Sequence, residues 1–316
     1  MKIVVLDRET LGMDTPISRL SKLGELVVYD ATSPAEVCER VSDADVILIN
    51  KVKITADVID SAKNLKLICI FATGYDNIDI KSAKEHGVAV CNVPGYSTAS
   101  VTATTVATVL SLLTNLREYN NYVVSGEYSE SGRPNLLTPV FHDMTDKVWG
   151  IVGCGDIGSS VARVAEAFGA RIVTHQRHKH PIYETVSLRE LCSISDIITV
   201  HCPLTAETRG MIDTSCIGMM KSNAIVVNSA RGAVFDEAAV AEAVAKGKIA
   251  AFGCDVYSVE PFGKDHPFYN IKRLSNVILT PHFAWGSYEA RCNCLNIIYN
   301  NISSFFDGKI LNRVDI

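Results

Sequence analysis

Three glycines at G-x-G-x-x-G spacing, Gly153, Gly155 and Gly158, constrain this chain more than any other feature. They lie within residues 147–174, KVWGIVGCGDIGSSVARVAEAFGARIVT. Val148, Gly150, Ile151 and Val152 form a short apolar run that predicts a buried strand. After the glycines, Ile157, Val161, Val164, Ala165 and Phe168 recur at helical intervals, and a second apolar strand begins at Arg171. In a strand-turn-helix-strand context each glycine has a task. The first allows the tight turn, the second lets a pyrophosphate approach the backbone, and the third lets helix pack on strand. The phosphates would lie on the open N–H groups of the helix N-terminus. A dinucleotide site is therefore expected here.

The remaining sequence is long enough for a second domain: 316 residues with 47% hydrophobic content can bury two cores. A formal net charge of −5 and the lack of a long basic run argue against nucleic acid or an anionic membrane as partners. The N-terminus runs directly into the strand-like KIVVLD, and no apolar stretch reaches the ~18 residues of a membrane span. A cytoplasmic protein is expected. Ten cysteines are scattered without a C-x-x-C, several inside apolar runs such as LICIF and VAVC, which reads as reduced core thiols with no metal site.

Residues 2–6, 26–29, 45–49, 67–71 and 88–91 are short β-rich runs separated by helical or turn segments, the rhythm of a parallel sheet covered on both faces. Residues 100–115 predict one long helix, and 119–146 lack clear periodicity. Further strands are expected at 196–201, 224–228, 250–254 and 277–279, with helices at 236–246 and 287–306. The fold class is α/β: two Rossmann-like or flavodoxin-like doubly wound parallel-sheet domains with a cleft between them. The expected boundaries give residues 1–99 and 287–316 to a substrate domain and 100–286 to a dinucleotide-binding domain.

The segments ATGYDNIDI (from 72), NVPGYST (from 92), GIVGCGDIG (from 150), DIITVHCPLTAETRGMI (from 196), MKSNAIVVNSARGAVFDEAAVAEAV (from 220), AAFGCDVYSVEP (from 250) and TPHFAW (from 280) follow one another across nearly the whole sequence. In that order they resemble the D-isomer-specific 2-hydroxyacid dehydrogenases. The resemblance implies hydride transfer between NAD(P)H and a small 2-oxo acid in an oxidoreductase, with a flavodoxin-like substrate domain and a homodimer formed through the nucleotide-binding domain. It also implies cofactor contacts at Asp156, Ile157, Pro203, Thr208, Ala230, Asp255 and Thr105, beside the three glycines.

Reducing a 2-oxo acid needs a cation for the carboxylate and developing oxyanion, an acid to protonate that oxygen, and a group that holds the acid charged. Position by position, Arg231, His282 and Glu260 match those roles. Arg231 follows the apolar run AIVVNSA and His282 follows NVILT, so both fall at strand ends, where open α/β sheets place ligands. The planar guanidinium can meet a carboxylate bidentately. Glu260 would favour the imidazolium and fix the ring, leaving the other nitrogen to donate. The same resemblance implies that Thr73 and Gly74 hold the substrate carboxylate through backbone N–H groups. Lys51 either reaches the substrate or is a solvated surface lysine.

Cofactor choice turns on the residues after strand RIVTH. Where an NAD-preferring fold carries an acidic group about 20 positions past the glycines, this sequence has Gln176, Arg177, His178 and Lys179. NADPH is favoured, with Arg177 as the main phosphate ligand and Gln176 and His178 beside it; a solvated loop with plain NAD use is the alternative. Trp285 and the segment NKV at 50–52 resemble the glycerate dehydrogenase (hydroxypyruvate reductase) branch. The indole either narrows the pocket and donates to a substrate hydroxyl or packs beside the terminal helix. Hydroxypyruvate is the expected substrate, with glyoxylate weaker. The alternatives are a D-lactate dehydrogenase, a D-2-hydroxyacid dehydrogenase acting on branched substrates and, outside catalysis, a nucleotide-sensing corepressor-like protein. A formate dehydrogenase-like enzyme is disfavoured because its acid partner is typically Gln, where this sequence has Glu260.

Overall fold

The computed structural model describes all residues, Met1–Ile316. It divides into two compact units, unit 1 comprising Met1–Ser97 with Trp285–Ile316, and unit 2 comprising Thr98–Ala284. Each crossing falls two residues ahead of the expected boundary, which moves Trp285 out of the nucleotide domain and into unit 1.

Unit 1 is built on strands β1 (Lys2–Val5), β2 (Glu25–Val28), β3 (Val46–Ile49), β4 (Leu67–Ile70) and β5 (Ala89–Cys91), all parallel in the order β2-β1-β3-β4-β5. The central strands β3 (VILI) and β4 (LICI) are fully buried apolar runs because both faces are covered, while the edge strand β2 (ELVV) is exposed at both ends. Ile3, Val5, Leu48 and Cys69 point to one face, where they meet Ala290, Cys294, Leu295 and Ile298 of the helix Tyr288–Phe306. Val4, Ile47, Ile49 and Ile68 point to the other, against Val37, Val58 and Ala83 of three short helices. The sheet changes direction between β1 and β3, so the loops after those strands open at its switch point.

Unit 2 carries β6 (Val148–Val152), β7 (Arg171–His175), β8 (Glu184–Thr185), β9 (Ile197–Val200), β10 (Ile225–Asn228), β11 (Ala251–Cys254) and β12 (Val277–Leu279). They form one parallel sheet in the order β12-β11-β10-β9-β6-β7-β8, with its switch point between β6 and β9. Helices Thr98–Leu113 and Asp156–Ala167 cover one face, burying Val109, Val161 and Ala165 against Trp149, Ile151 and Val227. Helices Leu188–Ile194, Thr214–Met219 and Glu237–Ala245 cover the other with Leu191, Ile217 and Val240.

The stretch without periodicity, 119–146, departs from expectation. Two helices, Leu116–Val124 and Glu127–Glu130, occupy its start, and neither buries a residue. The four-residue helix is too short to show a period, and in the longer one the helical spacing of Leu116, Tyr119 and Val123 begins ahead of residue 119. The strand β8, two residues long, was also too short to leave a pattern. All ten cysteines are free thiols, most of them buried. No single helix is long and apolar enough to cross a membrane.

Candidate active site

The glycine loop begins where β6 ends. Gly153 has φ +86°, and a Cβ there would stand 2.6 Å from Cys202 N, so the position excludes every other residue twice over. A Cβ on Gly158 would meet the Gly153 carbonyl at 2.3 Å, which is the helix-on-strand contact assigned to the third glycine. At Gly155 a Cβ would meet nothing within 4 Å. Space is open there, at the N-cap of a 12-residue helix whose first amides have no carbonyl partner within it.

Beside the loop lies a cavity of ≈ 340 Å³ walled by Gly153, Gly155, Gln176, Arg177, His178, Pro203 and Thr208, all expected cofactor contacts. Gln176 is fixed by accepting from Cys154 N–H at 3.2 Å, and Thr208 by donating to the Pro203 carbonyl at 2.7 Å. Arg177 and His178 are exposed at the rim. An open glycine loop, a helix N-terminus and an apolar slot with a cationic rim fit a dinucleotide.

Six other expected contacts lie off that wall. Gly158 is consumed in packing, Ile157 turns toward the core, and Asp156 is exposed on the first helical turn. Thr105 is buried and bonds Ser229 Oγ at 3.0 Å, so it stands behind the cavity. The Ala230 N–H is committed to Asn228 Oδ1 at 3.0 Å. Asp255 is buried and receives the Thr280 hydroxyl at 2.6 Å, Phe283 N–H at 3.0 Å and Ala284 N–H at 2.9 Å. Burial raises its carboxyl above the usual range against those three donors. Asp255 thereby grips the turn that presents His282.

Topology places Arg231, Glu260 and His282 on neighbouring loops, with Arg231 Nη1 donating to the Ala230 carbonyl at 2.9 Å. They follow the carboxyl ends of β10, β11 and β12, three adjacent parallel strands. Asn228 braces the first turn, donating from Nδ2 to the Arg231 carbonyl at 3.0 Å. Gly232 then crosses the next loop so closely that a Cβ would stand 2.0 Å from the Tyr257 carbonyl carbon. His282 sits at φ +53°, a left-handed conformation for a residue with a side chain. Its Nδ1 meets Glu260 Oε2 at 2.7 Å, while Glu260 Oε1 accepts Tyr257 N–H at 3.0 Å. Both Glu260 oxygens are thus engaged, the ring tautomer is set, and Nε2 is the nitrogen directed away from the carboxylate.

Unit 1 carries the expected substrate contacts on its own strand ends. Thr73, after β4, donates its hydroxyl to the Val93 carbonyl at 2.8 Å, and Asn92 Nδ2 donates to the Thr73 carbonyl at 2.8 Å, which fixes the Thr73–Gly74 turn. Lys51, after β3, is exposed, and its backbone N–H is held by the carboxylate of Asp7. Trp285 is half-buried, with its ring 6.1 Å from Tyr96 and packed on the core under the terminal helix.

Sequence reasoning missed several residues. His201, just past β9, lines the cavity; its Nδ1 lies 3.3 Å from Ser229 Oγ, its Nε2 is buried, and burial pushes its value down to about 3. Its signals were a place at a strand end and within the resembling segment DIITVHCPLTAETRGMI. Asp7 left none beyond the same position after β1.

A doubly wound sheet with a glycine loop at its switch point and a carboxylate-imidazole pair on its carboxyl edge defines a dinucleotide-dependent oxidoreductase. The family model for the NAD-binding domain of D-isomer-specific 2-hydroxyacid dehydrogenases matches residues 106–284, and the chain belongs to that family as an NAD(P)-dependent enzyme. It is 36% identical over 324 residues to a hydroxypyruvate reductase of Blautia hydrogenotrophica, covering 100% of both proteins. It is 35% identical to a glycerate dehydrogenase of Methylorubrum extorquens, covering 99% of each. Among solved structures it resembles the D-lactate dehydrogenase of Aquifex aeolicus complexed with NAD and lactic acid (TM-score 0.88, 25% identity, 100% of this protein and 99% of that one).

Proposed function

We propose that this enzyme reduces hydroxypyruvate to D-glycerate with NADPH, accepting glyoxylate more weakly. The observation that carries the chemistry is the 2.7 Å contact between His282 Nδ1 and Glu260 Oε2, which dedicates the opposite ring nitrogen to proton donation. Bound nicotinamide supplies the hydride to C2. Arg231 meets the substrate carboxylate and the oxygen on which charge develops, a contact of the kind that contributes roughly a hundredfold or more. His282 Nε2 gives its proton to that oxygen, and Glu260 balances the charge on the ring before transfer. In unit 1, the Thr73 and Gly74 amides and the Lys51 ammonium are groups suited to a carboxylate.

Hydroxypyruvate is favoured by the names of the two full-length relatives and by a carboxylate-binding set that needs no large apolar slot. NADPH is favoured because Arg177 and His178 stand at the cavity rim and Glu207 is the one carboxylate on its wall, outside the strand-end position that would bind a ribose hydroxyl. The test is kcat/KM for hydroxypyruvate, glyoxylate, pyruvate and 2-oxoisocaproate, each with NADPH and NADH, on wild type and Arg177→Ala. Hydroxypyruvate with NADPH should lead. Arg177→Ala should cost NADPH roughly thirtyfold while sparing NADH, as loss of a charge-assisted phosphate contact would. A tenfold lead for 2-oxoisocaproate removes the substrate assignment, and a tenfold wild-type preference for NADH removes the cofactor assignment.

A homodimer through unit 2 belongs to the same reading. Leu116, Val124, Leu137 and Val140 are 61–75% exposed along one continuous segment, 116–141, more apolar surface than a solvated edge carries. Sedimentation at twice the monomer mass supports it, and sedimentation at the monomer mass removes it.

A further inference from the structure

A second carboxylate-imidazole pair, this one buried, adjoins the first through residues 257 and 258. Glu237 opens the helix Glu237–Ala245, and His266 precedes the turn Pro267–Tyr269. Their side chains are only 9% and 7% exposed, and His266 Nε2 meets Glu237 Oε2 at 3.0 Å. Phe268 N–H donates to His266 Nδ1 at 3.2 Å, which leaves the ring proton on Nε2, pointing at Glu237. Glu237 also receives Ser258 N–H at 2.9 Å on Oε1 and the Ser258 hydroxyl on Oε2. Neither Glu237 nor His266 lines the cofactor cavity.

Withdrawing a carboxylate from water is costly unless every lone pair finds a donor, and an exposed helix start would serve the fold without that cost. What the pair touches explains it. Adjacent amides divide between the two pairs: Tyr257 N–H goes to Glu260 and Ser258 N–H to Glu237. The same two residues take the close crossing of Gly232, next to Arg231. The Tyr257 hydroxyl donates to the Thr280 carbonyl at 2.8 Å, two residues before His282. His266 is wedged among Tyr257, Phe262 and Phe268, with ring centroids 4.9–6.1 Å away. These constraints converge on Tyr257 and the two peptides that flank it.

We propose that Glu237 and His266 are positioning residues for the reduction: by holding Ser258 they fix the backbone at Tyr257, whose N–H holds the Glu260 carboxylate, and so the orientation of the His282 ring. This rests on the reading of Glu260 and His282 as the acid pair. The test is a set of double-mutant cycles on the full-length enzyme. His266→Gln, Glu237→Gln and Ser258→Ala are each measured alone and combined with Glu260→Gln, for kcat, KM and the NADPH dissociation constant, beside His282→Asn.

Each single variant should lower kcat roughly tenfold, with NADPH affinity changed less than about twofold. In the Glu260→Gln background the same changes should cost less than about twofold, because the carboxylate they position is gone. Equal losses in both backgrounds, or wild-type kcat in His266→Gln and Glu237→Gln, overturn the proposal. If the two buried variants do not fold, Ser258→Ala, which keeps the imidazole-carboxylate pair and removes one hydroxyl, carries the cycle alone. Near-wild-type turnover in His282→Asn would instead overturn the acid-pair reading and this inference with it. An inactive His282→Asn with fully multiplicative clamp variants removes the clamp only.

Discussion

The two units share one device and load it differently. In unit 1, Asp7 follows β1, is 4% exposed, and accepts the N–H groups of Asn50, Lys51 and Val52 from the loop after the neighbouring β3. In unit 2, Asp255 follows β11, is 5% exposed, and accepts Phe283 and Ala284 N–H from the loop after the neighbouring β12. Burial raises both carboxyls and converging donors oppose it in both. The difference is what is held. Lys51 sits in ordinary backbone, whereas His282 is kept at φ +53°, a conformation costing on the order of 1 kcal/mol. Unit 2 grips its loop against strain; the side chain held there meets the Glu260 carboxylate and, on the proposed mechanism, the reacting oxygen.

Removing each grip should therefore have unequal effects. Asp255→Asn leaves one acceptor where three donors converge and turns an NH2 toward a backbone N–H. The lost charge-assisted bonds, about 1.5–3 kcal/mol, release the His282 turn, so kcat should fall roughly tenfold to a hundredfold. Asp7→Asn loses comparable bonds but strains nothing, and it relieves a carboxylate that burial already disfavours. A rise of a few fold in KM for the 2-oxo acid with kcat nearly unchanged is expected. Steady-state kinetics on both variants decides it, and a kcat loss in Asp7→Asn as large as in Asp255→Asn breaks the comparison.

The smallest expected effect is on stability in acid, where the units carry histidines of opposite sign. His201 of unit 2 lies at about 3 in the fold, below its unfolded value of about 6.5. Its contribution is whole above pH 6.5 and is lost as pH falls from there toward 3, at no more than about 1.4 kcal/mol per pH unit. His86 of unit 1 is raised, chiefly by its bond to the Ser82 carbonyl, so its contribution is present below the unfolded value and lost as pH rises through the folded one. Between pH 7 and pH 5 the wild type should therefore lose on the order of 1 kcal/mol more than His201→Gln in urea unfolding. Equal losses would mean that His201 takes up its proton without cost.

The sheets were legible because parallel strands buried on both faces must be unbroken apolar runs, as β3 and β4 are, and β1 through β5 lie within a residue of the expected spans. The glycine loop was legible because no other residue satisfies the contacts at Gly153 and Gly158. Residues whose work depends on a distant partner were not. Glu237 and His266 are 29 positions apart, and Asp7 is 43 from Asn50; nothing local separates such side chains from solvated ones. Thr105 and Ala230 were placed at the cofactor by resemblance, and only the packing around them shows that each is already bonded elsewhere.

The central claim is that His282, gripped by Glu260 and presented by Asp255, is the proton donor. Single-turnover oxidation of NADPH by hydroxypyruvate, followed in wild type and His282→Asn at matched saturation, tests it most directly. The rate of hydride transfer should fall roughly a hundredfold to ten-thousandfold, with the NADPH dissociation constant unchanged. A rate within about threefold of wild type would contradict it.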